Sequence, residues 1–269
     1  MGLSFGFLIS SLIGILAWRA KALSPSGVIA AAISGGIIFG IGGLPWAVLL
    51  LTFFISSSLL SRAFEQRKRN LSEKFSKGNQ RDYRQVLANG GIGTLIVLVY
   101  SYYPYLDWLW IAFAGAMAAV NADTWGTELG VLNPSRPRLI INGKRVERGA
   151  SGGISLIGSL AVVGGAGLIA LFAAGYHPEK VDHRFLLTFV VITLGGVCGA
   201  FFDSLLGATI QAIYYCPFCK KETERSPVHT CGANTVPLRG WQWLDNDFVN
   251  LSASLAGALV AIFLWSVLG

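Results

Sequence analysis

The sequence predicts an all-α protein, a polytopic transmembrane helical bundle of about eight spans. Hydrophobic residues make up 53% of the 269 residues and charged residues only 13%, about half the charged share usual in soluble domains. The mean hydropathy is +0.58, and apolar runs recur that reach the length of about 20 residues needed for a helix to cross a bilayer. This composition excludes a soluble globule, a disordered chain, a collagen and a disulfide-rich secreted scaffold.

Eight apolar segments reach or approach the length of a span, and we treat residues 1–269 as a single transmembrane domain. The first is short, and the seventh is long enough to tilt, break or project from the membrane. A Gly42-Gly43-Leu44-Pro45 turn separates the second and third, which would otherwise form one run too long for a single crossing. The segments are 2–17, 27–43, 46–61, 86–103, 108–131, 153–174, 185–214 and 247–268.

The basic residues lie almost entirely in alternate loops, which is what the positive-inside rule predicts for cytoplasmic loops. Of 21 Lys and Arg, 19 fall in these loops, and only Lys180 and Arg184 fall on the other side. The net charge of +7 is therefore mainly a signal of topology, and without a recognition motif it predicts no nucleic-acid partner. Both termini are predicted on the side opposite the cytoplasm. The cytoplasmic loops are 18–26, 62–85, 132–152 and 215–246.

The loop 62–85 carries eight of these basic residues. It is predicted to form a basic amphipathic segment that lies on the anionic leaflet of the membrane.

Carboxylates inside apolar spans are the strongest chemical signal, because charge is costly there and usually serves a function. Asp123, Glu128 and Asp203 fall within spans, and Asp245 and Asp247 stand at the entrance to the last one. The topology puts all five toward the cytoplasmic half. Hard oxygen ligands suit Mg²⁺, which proteins usually hold with one or two carboxylates plus substrate phosphates. Interhelical hydrogen bonds or ion pairs are the structural alternative.

Polar residues accompany these acids at helical spacing. Asp123 and Glu128 are five residues apart, about 140° around a regular helix. Either the helix unwinds, at Gly126, or the two acids take separate roles. The candidate supporting residues are Asn121, Thr124, Thr127, Gln211, Asn246 and Asn250.

The loop 132–152 ends in a basic, glycine-rich turn that is a candidate phosphate-binding segment. Glycines let backbone N–H groups approach an anion, and the N-terminus of the following helix favours negative charge. A positive-inside loop before a helix-packing face explains the same residues. Together with acids that suit Mg²⁺, the pattern indicates phosphoryl transfer, although no Walker motif is present. The candidate phosphate-binding residues are Lys144, Arg145, Arg148, Ser151, Gly152 and Gly153, with Lys77 and Arg81 from the loop 62–85.

The loop 215–246 holds a cysteine-histidine pattern with the spacing of a zinc knuckle. Cys216 and Cys219 form a C-x-x-C pair, and His229 and Cys231 follow after nine residues. Three thiolates and one imidazole make a closed tetrahedral set for Zn²⁺, which predicts a structural site with no open ligand position. The alternatives are free thiols or a Cys216–Cys219 redox pair.

Four separated motifs, in matching order over nearly the whole chain, resemble the integral-membrane family of formerly unknown function that includes plant phytyl-phosphate kinase. One departure is Ala150, where the family pattern leads us to expect Thr. The motifs are Asn121-Ala-Asp-Thr-Trp-Gly-Thr-Glu-Leu-Gly130, Arg148-Gly-Ala-Ser-Gly-Gly-Ile-Ser155, Asp203-Ser-Leu-Leu-Gly-Ala-Thr-Ile-Gln211 and Asp245-Asn-Asp-Phe-Val-Asn250.

The resemblance implies a kinase that uses a nucleoside triphosphate, CTP, to convert a prenyl monophosphate such as phytyl phosphate to the diphosphate, in tocopherol-type isoprenoid metabolism. It implies that Asp123, Asp203 and Asp247 hold the metal, with Glu128, Asn246 and Asn250 in support. Lys144, Arg145 and Arg148 would bind phosphates, and zinc would support the loop rather than the chemistry.

Two other functions fit the same residues. A transporter or flippase for a phosphorylated lipid would use the same anion-binding loop but should show a gate on the outer side. An ion-coupled carrier would use Asp123 and Asp203, although no comparable acids continue into the outer half of the spans.

Overall fold

The computed structural model describes residues 2–64, 80–176 and 182–269, and these fold mainly into helices. Each described helix falls on one of the predicted spans, which confirms the polytopic helical bundle. The helices are α1 (Leu3–Arg19), α2 (Pro25–Ile37), α3 (Leu44–Ala63), α4 (Tyr83–Tyr102), α5 (Trp108–Gly130), α6 (Leu156–Gly175), α7 (Asp182–Thr209) and α8 (Asn246–Leu268).

Six of the described helices are long and apolar enough to cross a membrane, counting α2 together with the π-helical turn Ile38–Gly42 that continues it. The other two are α1, an apolar helix of 17 residues, and α5, whose second half carries polar side chains. The count of eight spans therefore stays a prediction for α1 and α5.

Local sequence signals account for several helix ends. Ser24 caps α2, accepting from the Gly27 N–H at 3.2 Å, and α4 begins with a reciprocal capping box between Asp82 and Gln85. Gly43 adopts a φ of +76° between the π-helical turn and α3, a conformation that glycine reaches without strain. The predicted break between the second and third spans is therefore present.

Helix α5 is the centre of the bundle and packs against α3, α4, α6, α7 and α8. Its residues from Leu109 to Ala122 are all buried, so this helix has no outward face along that length. Small residues allow the close approach: a Cβ added to Gly115 would lie 2.6 Å from the Cβ of Ala261 on α8. Such small-residue contacts are typical of helices that pack within membranes.

Short strands, which were not predicted from the sequence, lie in the loops between the helices. β1 (Arg138–Leu139) pairs with β2 (Gly153–Ile154), and a three-stranded sheet has the order β4-β3-β5. In this sheet β3 (Ile213–Cys216) lies between β4 (Lys221–Thr223) and β5 (Val236–Arg239), antiparallel to both.

The seventh span is also shorter than predicted, because α7 ends at Thr209 and β3 begins at Ile213. An apolar run cannot by itself distinguish the end of a helix from a strand that follows it. We call residues 213–239, from β3 to β5, the Cys/His hairpin.

Candidate functional site

A polar cavity of about 1040 Å³ opens where the ends of several helices meet. The C-terminal parts of α3, α5 and α7, the N-terminal parts of α4, α6 and α8, the glycine-rich turn 148–155 and part of the Cys/His hairpin line it. Its charged lining residues are Lys21, Arg62, Arg81, Asp123, Glu128, Arg148, Asp203, Glu224 and Arg225. One cavity therefore joins most of the predicted acids to several bases.

Helix α5 supplies two of the acids and is unbroken from Trp108 to Gly130. The alternative in which it unwinds at Gly126 is therefore wrong, and the two acids have separate surroundings. Glu128 accepts a hydrogen bond from the Ser61 hydroxyl of α3 at 2.7 Å. Asp123 lies near enough to Glu224 and Asp203 for their charges to interact.

The half-buried Asp203 is the acid whose environment most needs a ligand. Its Oδ2 atom is inaccessible to water and has no hydrogen-bond partner among the described residues. A buried polar atom without a partner is rare in native structures and indicates an ion, a proton or a water. The negative charges of Asp123 and Glu224 also interact with that of Asp203. A cation bound among the three carboxylates would relieve their repulsion.

Glu224 is a site residue that the sequence analysis missed. Its Oε1 accepts hydrogen bonds from the Ser151 hydroxyl at 2.9 Å and from the Gln211 amide at 3.0 Å. It directly follows β4, so the pairing of β4 with β3 carries it into the cavity. Nothing local could have revealed it, because a glutamate in a hydrophilic loop is ordinarily solvated.

The polar residues predicted to support the acids divide into two groups. Asn121 is fully buried and structural: its Nδ2 donates to the Gly165 carbonyl at 2.7 Å and its Oδ1 accepts from Ser56 at 2.9 Å. The others line the cavity: Thr124, Thr127, Gln211, Asn246 and Asn250.

Two of the predicted acids lie outside the cavity lining. Asp245 caps α8, accepting from the N–H groups of Asp247 and Phe248, and it pairs with Arg84. Asp247 is buried, with its Oδ2 3.4 Å from Nε of Arg84. Asn246 and Asn250 line the cavity, whereas Asp247 lies about 100° around α8 from residue 246 and about 60° from residue 250, on the side that contacts Arg84. The structure therefore does not bring Asp247 to Asp123 and Asp203.

The glycine-rich turn forms the basic wall. Arg148, Ser151, Gly152 and Gly153 line the cavity, and Arg148 is held by its NH2, which donates to the carbonyls of Asn133 and Pro134 at 3.0 and 2.7 Å. Ser155 caps α6, so the N-terminus of that helix also points into this region.

The other predicted phosphate-binding residues are placed differently. Lys144 and Arg145 are exposed and do not line the cavity, while Lys77 lies outside the described residues. Lys21, Arg62 and Arg225 line the cavity instead. All three had been counted from the sequence only as signals of topology.

Arg81 lies against α3, where NH1 donates to Ser58 at 3.0 Å and NH2 to Ser57 at 2.9 Å. Burial lowers the pKa of its guanidinium to about 10, and the nearby Glu128 carboxylate partly opposes this shift. Arg81 is therefore still a cation at neutral pH.

The four predicted zinc ligands come together in the Cys/His hairpin. The sulfurs of Cys216, Cys219 and Cys231 and a nitrogen of His229 all lie within 4.8 Å of one another. The Cys216 and Cys231 sulfurs are 3.6 Å apart, and Nδ1 of His229 is 3.6 and 3.2 Å from the sulfurs of Cys219 and Cys231. Zn–S bonds of about 2.3 Å at tetrahedral angles give sulfur separations of about 3.8 Å. The cluster could hold a metal such as zinc, and its cysteines form no disulfide.

Together these features define a helical membrane protein with a polar, charged cavity at the helix ends and, beside it, a hairpin whose Cys/His cluster could hold a metal. A comparison with protein families gives the assignment. The model described as "Integral membrane protein DUF92" matches residues 8–258, and the chain belongs to that family. It is therefore an integral membrane protein that crosses the bilayer several times, and the family resemblance drawn from the motifs is confirmed.

Curated relatives match over nearly the full chain. Protein PGR of Arabidopsis thaliana is 33% identical over 94% of this chain and 92% of its own length. An uncharacterized membrane protein of Methanocaldococcus jannaschii is 31% identical over 97% of this chain and 93% of its own. One from Synechocystis is 25% identical over 90% and 82%. No solved structure matches the chain.

Proposed function

We propose that this protein is a membrane-embedded kinase that transfers the γ-phosphoryl group of a nucleoside triphosphate, CTP, to a prenyl monophosphate such as phytyl phosphate. The single observation that carries the proposal is the cavity whose lining combines the half-buried carboxylates of Asp123 and Asp203 with a basic, glycine-rich turn. Acids that hold Mg²⁺ and bases that hold phosphate are the two halves of a phosphoryl-transfer site. The motif resemblance to the family of the plant phytyl-phosphate kinase supplies the substrate class.

Asp123 and Asp203 are the proposed Mg²⁺ carboxylates, and Glu224 completes their environment. The donor set fits, because Mg²⁺ prefers hard oxygens and Asp203 Oδ2 has no hydrogen-bond partner among the described residues. Held by Asp123 and Asp203, Mg²⁺ would supply positive charge that offsets the charge of the phosphates. Glu128, tied to Ser61, stands apart from this set and is proposed as a supporting residue.

The basic wall is proposed to hold the nucleotide phosphates. Backbone N–H groups at Gly152 and Gly153 and the N-terminus of α6 favour an anion. Arg148 adds a charge that its carbonyl contacts keep in place. The cavity volume of about 1040 Å³ suits a nucleotide and a lipid headgroup together, since ligand pockets commonly span about 300–1,000 Å³.

The reaction needs no protein nucleophile, because the acceptor is itself an anion. An oxygen of the prenyl phosphate forms a bond to the γ-phosphorus, and the bond from that phosphorus to the β,γ-bridging oxygen breaks. The nucleoside diphosphate leaves with the electron pair. The protein's part is to align the two phosphates and to stabilise the charge of the transition state.

We propose that this cavity lies on the cytoplasmic side and both termini on the opposite side, because the positive-inside distribution favours that orientation. A transporter would need a gate at the other end of the bundle. There the core is filled by aromatic rings: the centroid of Trp46 lies 4.8 Å from that of Tyr100, 5.4 Å from Trp110 and 4.7 Å from Phe113. This packing favours a one-sided catalytic pocket.

The test is phosphoryl transfer by the purified protein, supplied with γ-labelled CTP or ATP, Mg²⁺ and phytyl or geranylgeranyl phosphate. We expect labelled prenyl diphosphate from the wild type and at least a hundredfold less from Asp123→Asn or Asp203→Asn. Asp107→Asn, which changes an exposed acid in the turn before α5, is the matched control and should keep full activity. Tight binding of the lipid phosphate without turnover, for every nucleotide tried, would favour the transporter.

A further inference from the structure

A second cavity lies beside the polar one and differs from it in chemistry and shape. It is a narrow groove, partly open along its length, that encloses about 70 Å³ and runs between α3 on one side and α1, α2 and α4 on the other. Its walls are mostly aliphatic and aromatic side chains and glycines. They include Ile13, Gly35, Leu50, Phe54, Val86 and Gly90. We call this space the apolar groove.

The apolar groove exists because α3 stands apart from its neighbours in the chain. Among the described helices, α3 packs closely on α5, α6 and the π-helical turn but makes little or no close backbone contact with α2 or α4. By contrast, α2 packs well against both α1 and α4. The side chains that line an empty gap lose dispersion contacts. An apolar chain bound in the gap would restore those contacts.

Gly90 gives independent evidence that this space is empty of protein. It is buried within α4, yet a Cβ added to it would meet no atom within 4 Å. Buried glycines elsewhere in the bundle, such as Gly115, have a neighbouring helix at that position.

The hydroxyls in the apolar groove are satisfied inside their own helices, so they do not make it polar. Ser10 donates to the Gly6 carbonyl at 2.6 Å, and Ser34 donates to the Ala30 carbonyl at 2.9 Å. A ligand here would therefore find apolar contact without needing to supply hydrogen bonds.

The apolar groove and the polar cavity meet at three shared lining residues, Arg81, Gln85 and Asn89. Arg81 is fixed at this junction. Its backbone joins Ala22 and Ser24 by hydrogen bonds of 3.0 Å each, and its guanidinium lies over the rings of Phe53 and Phe54, 5.5 and 5.6 Å from their centroids. Arg81 is a cation at the junction of the polar cavity and the apolar groove. This arrangement suits a ligand with an anionic head and a hydrocarbon tail.

We propose that the apolar groove binds the prenyl tail of the lipid monophosphate and that Arg81 contacts its phosphate at the junction. This inference rests on the proposed function for the choice of lipid. It places the acceptor phosphate on the α3–α4 side of the polar cavity and leaves the glycine-rich turn for the nucleotide.

Photolabelling without nucleotide tests the site directly. The probe is geranylgeranyl phosphate carrying a diazirine on its terminal isoprene unit, added to the purified protein. We expect labelled peptides from α3 and α4, near Leu50–Phe54 and Val86–Gly90, with competition by unlabelled geranylgeranyl phosphate but not by inorganic phosphate. Labelling spread over other helices, or labelling that the competitor leaves unchanged, would overturn the proposal.

Gly90→Phe tests the same idea by filling the apolar groove. We expect labelling to fall about tenfold or more, because the phenyl ring would occupy the space of the tail, and the KM for geranylgeranyl phosphate to rise by a similar factor. The KM for dimethylallyl phosphate, whose tail is short, and that for the nucleotide should change little. Gly175→Phe is the matched control, because a Cβ there also meets open space but lies far from the groove.

The results separate this inference from the kinase proposal. Labelling of the groove without phosphoryl transfer to any prenyl phosphate would uphold the tail site and sink the kinase. If the protein transfers phosphoryl groups but Gly90→Phe behaves like Gly175→Phe and the label lies on other helices, the kinase proposal stands and the tail site is wrong. If Gly90→Phe fails to fold, the wild-type labelling pattern still decides the question.

Discussion

The Ser151 hydroxyl of the glycine-rich turn donates a hydrogen bond of 2.9 Å to Oε1 of Glu224 on the Cys/His hairpin. Gln211, just after α7, donates to the same oxygen at 3.0 Å. One carboxylate therefore joins the turn proposed to hold nucleotide, the end of a membrane helix and the hairpin that gathers the metal ligands. The hairpin that carries the cysteine-histidine cluster is therefore hydrogen-bonded to the cavity wall through Glu224.

Glu224→Gln should lower phosphoryl transfer by about ten- to a hundredfold, because it removes a charge that interacts with Asp123 and Asp203 and weakens charge-assisted hydrogen bonds worth about 1.5–3 kcal/mol. The affinity for Mn²⁺, measured by electron paramagnetic resonance as a substitute for Mg²⁺, should fall as well. Glu222→Gln alters an exposed acid on the same hairpin and is the control. Equal behaviour of the two variants would show that Glu224 has no part in the site.

Removal of the proposed zinc from the Cys/His hairpin should disturb the cavity. We expect Cys219→Ser to lose one equivalent of zinc by elemental analysis and to increase hydrogen exchange in residues 148–155, since Glu224 would no longer be held against Ser151. Cys198→Ser changes a cysteine of α7 outside the cluster and should keep its zinc. Full zinc content in Cys219→Ser would contradict the assignment of ligands.

Asp247 should act on stability rather than on cation binding. Its contact with Arg84 and its burial predict that Asp247→Asn lowers the free energy of unfolding by about 1–3 kcal/mol, the range for leaving a buried polar partner unsatisfied. The Mn²⁺ dissociation constant should stay within about twofold of the wild type. For the comparison variant Asp203→Asn we expect a large loss of Mn²⁺ affinity with little loss of stability. A large loss of Mn²⁺ affinity in Asp247→Asn would instead show that Asp247 belongs to the metal site.

Gly152→Ala should distort the glycine-rich turn by a steric clash with α7. The residue has a φ of +79°, and an added Cβ would lie 2.4 Å from the backbone nitrogen of Ala208, a contact no side chain can relieve. Gly143 in the same loop has a φ of +68° with nothing near its added Cβ, so Gly143→Ala introduces the backbone strain alone. We expect phosphoryl transfer to fall at least tenfold more in Gly152→Ala than in Gly143→Ala, with the difference read as lost turn geometry. Similar losses in both would mean that the contact with α7 is unimportant.

Much of the fold was predictable because each helix is an apolar run bounded by polar loops, and the acids Asp123, Glu128 and Asp203 stand out within such runs. The metal ligands were predictable because the spacing of Cys216, Cys219, His229 and Cys231 is itself the signal. In both cases the information is local, and the structure brings the residues together as the pattern indicates.

The rest depended on tertiary placement. The packing of α8 sets which of its faces meets the cavity: Asn246 and Asn250 line it, while Asp247 contacts Arg84. Glu224 and Arg225 enter the site only because their hairpin folds back against α7. Arg81 was grouped with the nucleotide by charge, whereas its position between two cavities depends on the gap beside α3.

The central claim is that the cavity transfers phosphoryl groups to a prenyl phosphate, and the most direct measurement is the fate of a labelled γ-phosphate in a single turnover. Purified protein is mixed with γ-³²P CTP, Mg²⁺ and geranylgeranyl phosphate, and the lipid product is cleaved to find the label. We predict that the label lies in the terminal phosphate of geranylgeranyl diphosphate and that Asp203→Asn abolishes it. Label released only as inorganic phosphate, or no label in lipid with CTP, ATP, GTP or UTP, would contradict the account.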